Sequence, residues 1–151
     1  MAPIGRDEST ARADPGLLSG DSGQPENGCP FCDLATGQVW AHGHHARAIF
    51  DRYPVSDGHT LVVPARHVGS IFALPAEERA SLWELVAEVP SRLQRTHHAE
   101  AFTIGVNDGE LAGQTVAHAH IHVIPRRRGD VPDPRGGVRW VVPDRARYWT
   151  D

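Results

Sequence analysis

Gln114-Thr115-Val116-Ala117-His118-Ala119-His120-Ile121-His122-Val123-Ile124-Pro125-Arg126 is the stretch on which the reading of this chain turns. Three histidines alternate with small or apolar residues, and the run ends in Ile-Pro-Arg. Period-2 alternation with Ile and Val predicts a strand. Successive side chains on a strand point to opposite faces. His118, His120 and His122 are therefore expected on one face, with Ala119, Ile121 and Val123 on the other. Same-face neighbours stand roughly 7 Å apart and the outer pair about 13 Å, too far for all three rings to share one metal ion. The triple has to divide its labour.

Two competing readings are a solvent-facing strand that happens to be rich in histidine and a site built only for metal. With 10 histidines in 151 residues, some clustering is expected by chance. The flanks, Gly113-Gln114-Thr115 before and Pro125-Arg126 after, make the pattern far more specific than three histidines alone.

A chain of 151 residues with 40% hydrophobic and 23% charged content is expected to form one domain with a real core. The net charge is −4 and the pI about 6.2, which argues against a general nucleic-acid surface but not against a small phosphate ligand in a local pocket. No apolar run approaches the roughly 20 residues of a membrane span, and the N-terminus lacks the apolar core of a signal peptide. A cytoplasmic, reducing location is the expectation. Residues 1–27, rich in Gly, Ser, Asp and Pro and without apolar periodicity, are expected to be a flexible tail, and 28–151 the folded domain.

Cys29-Pro30-Phe31-Cys32 opens that domain. In a reducing compartment such a pair is read as metal ligands or redox thiols rather than a structural disulfide. Zinc would need two more ligands, with His67 and His118 as candidates and His59 as a rival to His67. Strands are expected at Gly37–Trp40, Ala46–Phe50, Gly58–Pro64, Ala101–Val106 and Gly136–Pro143. Leu82, Leu85, Val86, Val89 and Leu93 recur at helical spacing, which predicts one long helix from Pro75 to His98, kinked at Pro90, whose ring clashes with a preceding carbonyl. His42, His44 and His45 fall in a turn and read as solvated. The loop Asn107–Thr115 carries Gly109 and Gly113, which let backbone N–H groups approach a phosphate. Arg126, Arg127 and Arg128 read equally well as a polyphosphate attractor or as a solvated turn.

Taken together, the His-x-His-x-His run, Gly58-His59-Thr60-Leu61-Val62-Val63-Pro64 and the spacing of Asp51 to His59 resemble the histidine triad (HIT) family of nucleotide hydrolases and transferases. The resemblance covers most of residues 28–151. It implies an α+β fold: an antiparallel meander sheet with one long helix packed on it. It implies a purine nucleotide as small-molecule substrate and a homodimer. It implies that His120 is the nucleophile and His122 a phosphate contact, that Gly113, Gln114, Thr115 and Asn107 cradle the phosphate, and that Asp51 accepts the ribose hydroxyls. In zinc-containing bacterial members the ligands resemble Cys29, Cys32, His67 and His118, which implies a structural zinc. The implied chemistry is hydrolysis or transfer at the α-phosphate of a nucleoside phosphoramidate or dinucleoside polyphosphate. The alternatives are a zinc-bearing nucleotide-binding module without turnover, and a triple-histidine metal hydrolase, which would need an acidic ligand near the triad strand.

Overall fold

In the computed structural model, residues 25–150 are described. The expected tail lies outside them except for Pro25, Glu26 and Asn27. The elements are β1 (Val39–His42), β2 (Ala46–Phe50), β3 (Thr60–Pro64), α1 (Ala76–His97), β4 (Ala101–Gly105), β5 (Ile121–Arg126) and α2 (Pro143–Ala146), with short 3-10 turns between them. The sheet has five strands in the order β1-β2-β3-β5-β4, every pair antiparallel. β1 to β3 meander; β5 then returns to lie between β3 and β4.

Helix α1 runs unbroken for 22 residues through Pro90. Glu77 and Glu78 sit in its first turn and Arg95 and His97 in its last, each matching the sign of the helix dipole. It ends at His98, whose left-handed backbone (φ 53°) sends its N–H back to the Leu93 carbonyl. The stripe Leu82, Leu85, Val86, Val89 and Leu93 is buried against Ala48, Val62, Ile121 and Val123. Each fully buried leucine contributes about 1.5–3 kcal/mol by removal from water. Ser81 accepts the His45 N–H at 2.9 Å, fixing the β1–β2 turn to the helix.

Alternation decides what the other face carries. Ile49, Leu61 and Val63 point away from the helix and form a second, smaller core with Cys29 and Phe31. The N-terminal loop therefore covers one end of the sheet face opposite α1. In register, His122 faces Leu61 of β3 and Gly105 of β4, so it stands on that same face.

Two expectations fail. Hydrogen-bonded strand structure begins at Ile121, so His118 and His120 lie just before β5 in extended chain. Their alternation survives, because Ala119 enters the helix-side core while both histidine rings meet Phe31. The strand expected at Gly136–Pro143 is absent: Gly137–Val141 is a 3-10 helix that runs into α2. Gly136 and Gly137 adopt positive φ, and the Arg139 guanidinium caps the Ala146 and Arg145 carbonyls. The Val-Arg-Trp-Val-Val pattern thus closes on its own backbone instead of joining a sheet. Among the described residues no helix is long and apolar enough to cross a membrane.

Candidate active site and metal centre

The site is built from β5 outward. The His120 Nδ1 lies 2.9 Å from the His118 carbonyl, which can only accept, so Nδ1 carries the proton. The lone pair then sits on Nε2. The ring is buried and held by Phe31, whose centroid is 5.3 Å away in an edge contact. The His122 ring follows at 5.0 Å.

His122 is oriented by a chain that begins on the backbone. The Val55 N–H donates to His59 Nδ1 at 3.3 Å, so the His59 proton sits on Nε2. That Nε2–H donates to His122 Nδ1 at 3.0 Å. His122 is left with its own proton on Nε2, a buried donor without a partner among the described residues. Burial, with His120 and His59 nearby, pushes His122 down to about 4, and burial lowers His59 as well. Both rings are therefore neutral near pH 7. The site thus presents a lone pair on His120 beside a donor on His122.

Asp51 closes this side. One of its oxygens accepts the Tyr53 N–H at 2.8 Å, and the other lies 3.5 Å from His59 Nδ1. In the loop before the triad, Gly113 has a φ of 91° and ends the 3-10 turn Glu110–Ala112. A Cβ on Gly113 would lie 3.8 Å from the Asn107 amide, so these two residues are neighbours. Thr115 is exposed. The Gln114 amide is spent within the loop: its oxygen accepts the Gly109 N–H, and its nitrogen donates to the Gly69 and Val116 carbonyls. Gln114 thus braces the loop with its side chain, where the resemblance implied a phosphate contact. The arginines do not form a free cationic patch. Arg126 holds Asp130 through two bonds of 2.6 and 2.9 Å, and Arg127 donates to the Asp57 and His97 carbonyls.

A second constellation lies behind the triad. The turn at Cys29 puts both thiols on one side, with the Cys32 and Asp33 N–H groups donating to the Cys29 carbonyl. Cys29 Sγ is 3.4 Å from His118 Nδ1, Cys32 Sγ is 3.6 Å from the same nitrogen, and Cys32 Sγ is 3.3 Å from His67 Nδ1. Tetrahedral zinc with sulfur at about 2.3 Å and nitrogen at about 2.0–2.1 Å places such atoms about 3.5 Å from one another. The four donor atoms fit that spacing and could hold a metal ion. Both imidazoles are aimed by their far nitrogens: His118 Nε2–H donates to the Pro64 carbonyl at 3.0 Å, and His67 Nε2 meets the Glu26 carboxylate at 2.7 Å. Burial lowers His118 to about 4, and burial together with Cys29 raises the Cys32 thiol. Burial thus already keeps His118 in the neutral form a ligand needs, and a cation would offset the penalty on the Cys32 thiolate.

His59 belongs with Asp51 and His122 and not with the cysteines. Sequence reasoning missed Glu26, assigned to the tail, and gave Phe31 no role. An acidic residue three positions before the first cysteine is too common a pattern to have marked Glu26.

Against known proteins, residues 35–129 match the HIT domain family model. The nitrilase and fragile histidine triad fusion protein NitFhit of Caenorhabditis elegans is 43% identical over 59% of this chain, which spans 20% of that protein. The bifunctional bis(5'-adenosyl)-triphosphatase/adenylylsulfatase FHIT of Arabidopsis thaliana is 41% identical over 55% of this chain and 46% of its own length. Among solved structures, a Zn-bound histidine triad family protein from Mycobacterium smegmatis superimposes with a TM-score of 0.59 at 32% identity, over 71% of this chain and 82% of that one. The match to the family model spans more than half of the chain and includes all three triad histidines, and the chain belongs to the HIT domain family.

Proposed function

We propose that the protein hydrolyses or transfers a nucleotide at its α-phosphate through a covalent adduct on His120. The single observation that carries this reading is the paired state of the two rings. Hydrogen bonding leaves His120 Nε2 as a lone pair and His122 Nε2–H as an unspent donor beside it. A neutral imidazole attacks phosphorus in line while an adjacent donor takes the charge that develops on the phosphoryl oxygens. A bound anion next to His122 favours its charged form, so the ring can carry a proton to the leaving atom. Water then cleaves the phosphorus–nitrogen bond and releases the nucleoside monophosphate.

Asp51 would accept the ribose hydroxyls, and Asn107, Gly113 and Thr115 would line the phosphate. The Arabidopsis relative, named as an adenosyl triphosphatase and adenylylsulfatase, supports a hydrolytic reaction on a purine nucleotide. Cys29, Cys32, His67 and His118 would hold a structural zinc. When bound, the ion would cross-link the N-terminal loop to the triad segment. That loop places Phe31 against His120, so its role is to hold the nucleophile's surroundings.

The test is to trap the adduct. Acid-labile nucleotide label should reach about one per chain, and His120→Asn should abolish it while turnover falls on the order of a thousandfold or more. Label on another residue, or near-parental turnover in that variant, would reject the mechanism. Nucleotide binding without turnover by the parent protein would leave the binding-module reading in its place.

A further inference from the structure

We infer that His44, His45 and Glu77 form a second metal site, open to solvent, for a divalent transition ion of the zinc class. It is separate from both the cysteine centre and the triad.

Two rigid elements bring the three residues together. His44 and His45 sit in the turn between β1 and β2, and Glu77 in the first turn of α1. The turn is closed by the Gly43 N–H donating to the Ala46 carbonyl at 2.8 Å. It is pinned to the helix by the His45 N–H on Ser81 Oγ at 2.9 Å. It is pinned to the end of β3 by the Ala65 N–H on the His45 carbonyl at 2.8 Å. A pair of histidines that reads as solvated in the sequence is therefore held by its backbone against the start of a helix.

The side chains meet in front of this frame. The two imidazoles are in edge contact, with centroids 4.2 Å apart and planes at 85°. His45 Nε2 lies 3.8 Å from Glu77 Oε1. One donor atom from each of the three residues falls within 4.8 Å of the others. Nitrogen and oxygen donors around tetrahedral zinc stand about 3.3–3.4 Å apart. The Glu77 side chain is 81% exposed, so a small rotation closes the gap without disturbing any packing.

The donors are also uncommitted. Neighbouring Glu78 is held by Arg66 through bonds of 3.0, 2.8 and 2.7 Å. Among the described residues, Glu77 pairs only with His45, at a distance too long for a hydrogen bond, and the His44 ring nitrogens make no hydrogen bond. Two neutral imidazoles and one carboxylate set a single negative charge before a dication and leave its fourth position to water. Imidazole nitrogen suits zinc, copper and nickel, whereas magnesium and calcium take oxygen ligands. The bound ion ties the β1–β2 turn to α1 and stabilises the fold by mass action.

The test reads zinc bound to the full chain, by dialysis against micromolar zinc in millimolar magnesium. The parent should hold about one equivalent more than His44→Ala or Glu77→Gln, whatever the cysteine centre holds. Both positions are exposed, so neither variant threatens the fold. Each should weaken that equivalent roughly a hundredfold or more, beyond the 10–100-fold typical of losing an outer partner. His42→Ala, on the same hairpin but outside the cluster, should keep it. Nickel added to the parent should broaden the ring signals of His44 and His45 before those of His97 and His98. Equal zinc in the parent and both variants overturns the inference. So does loss of the extra equivalent in His42→Ala, or nickel broadening that falls first on His59 and His122, which would put the ion in the triad.

Discussion

His59 Nε2 stands 3.0 Å from His122 Nδ1, and this contact decides which nitrogen of His122 carries the proton facing the site. A histidine 63 positions away thus sets the chemistry of the triad's last member. His59→Phe should leave the nucleophile intact but free His122 to adopt either tautomer. Turnover should fall on the order of tenfold to a hundredfold, less than for losing His120. His59→Gln, which restores a donor, should recover part of it. Parental turnover in His59→Phe would show that the contact is only packing.

The depressed proton affinity of His122 predicts a pH effect on stability. Its folded value is about 4, whereas an unfolded histidine titrates near 6.5. Between those values the unfolded chain holds a proton that the folded one does not. The contribution is therefore full above about pH 6.5 and is lost as pH falls toward 4. Urea unfolding at pH 7.5 and 5.0 should show a smaller drop in His122→Gln than in the parent, by on the order of 2 kcal/mol. Equal drops would refute it.

Glu26 holds the far nitrogen of His67 at 2.7 Å, so Glu26→Gln should weaken metal binding without removing a donor. The loss expected for an outer partner is about 10–100-fold in zinc affinity, read by competition with a chelating dye. Cys29→Ser should lose far more. Unchanged affinity in Glu26→Gln would show that the carboxylate does not support the site.

Gly105 offers a way to block the site without disturbing the core. Its φ is not in the left-handed region, and a Cβ would meet open space beside His122. Gly105→Val should leave the melting temperature within a few degrees of the parent, since such surface changes are usually within about 0.5 kcal/mol. Its valine branch would project into the open space beside His122, and KM for bulky substrates should rise several-fold with little change in kcat. A large fall in melting temperature with no change in KM would place the residue in the fold and not in the site.

Some of this was legible in the chain alone. The spacing of Leu82, Leu85, Val86, Val89 and Leu93 determined a helix and its buried face, because 3.6-residue periodicity has no other packing solution. The alternation from His118 to Val123 determined that the histidines share a face, because the strand period is two wherever the chain is extended, even before the ladder begins. The Cys29-x-x-Cys32 turn is likewise local.

What only the tertiary structure decided are pairings between distant segments. Both His59 and His67 flank β3 and both are 3% exposed, so composition and burial alike leave them interchangeable as metal ligands. The register of β3 against β5 separates them, sending His59 to His122 and leaving His67 beside Cys32. Gln114 carries a free amide in sequence, yet its hydrogen bonds are consumed by Gly109, Gly69 and Val116, because the folded chain brings those backbone groups within reach of it. Val138–Val142 has a strand's local pattern, but the positive-φ turn at Gly136 and Gly137 leads it into a 3-10 helix that walls a cavity. Local periodicity is a property of the chain, whereas hydrogen-bond partners and pocket walls exist only once the sheet has closed.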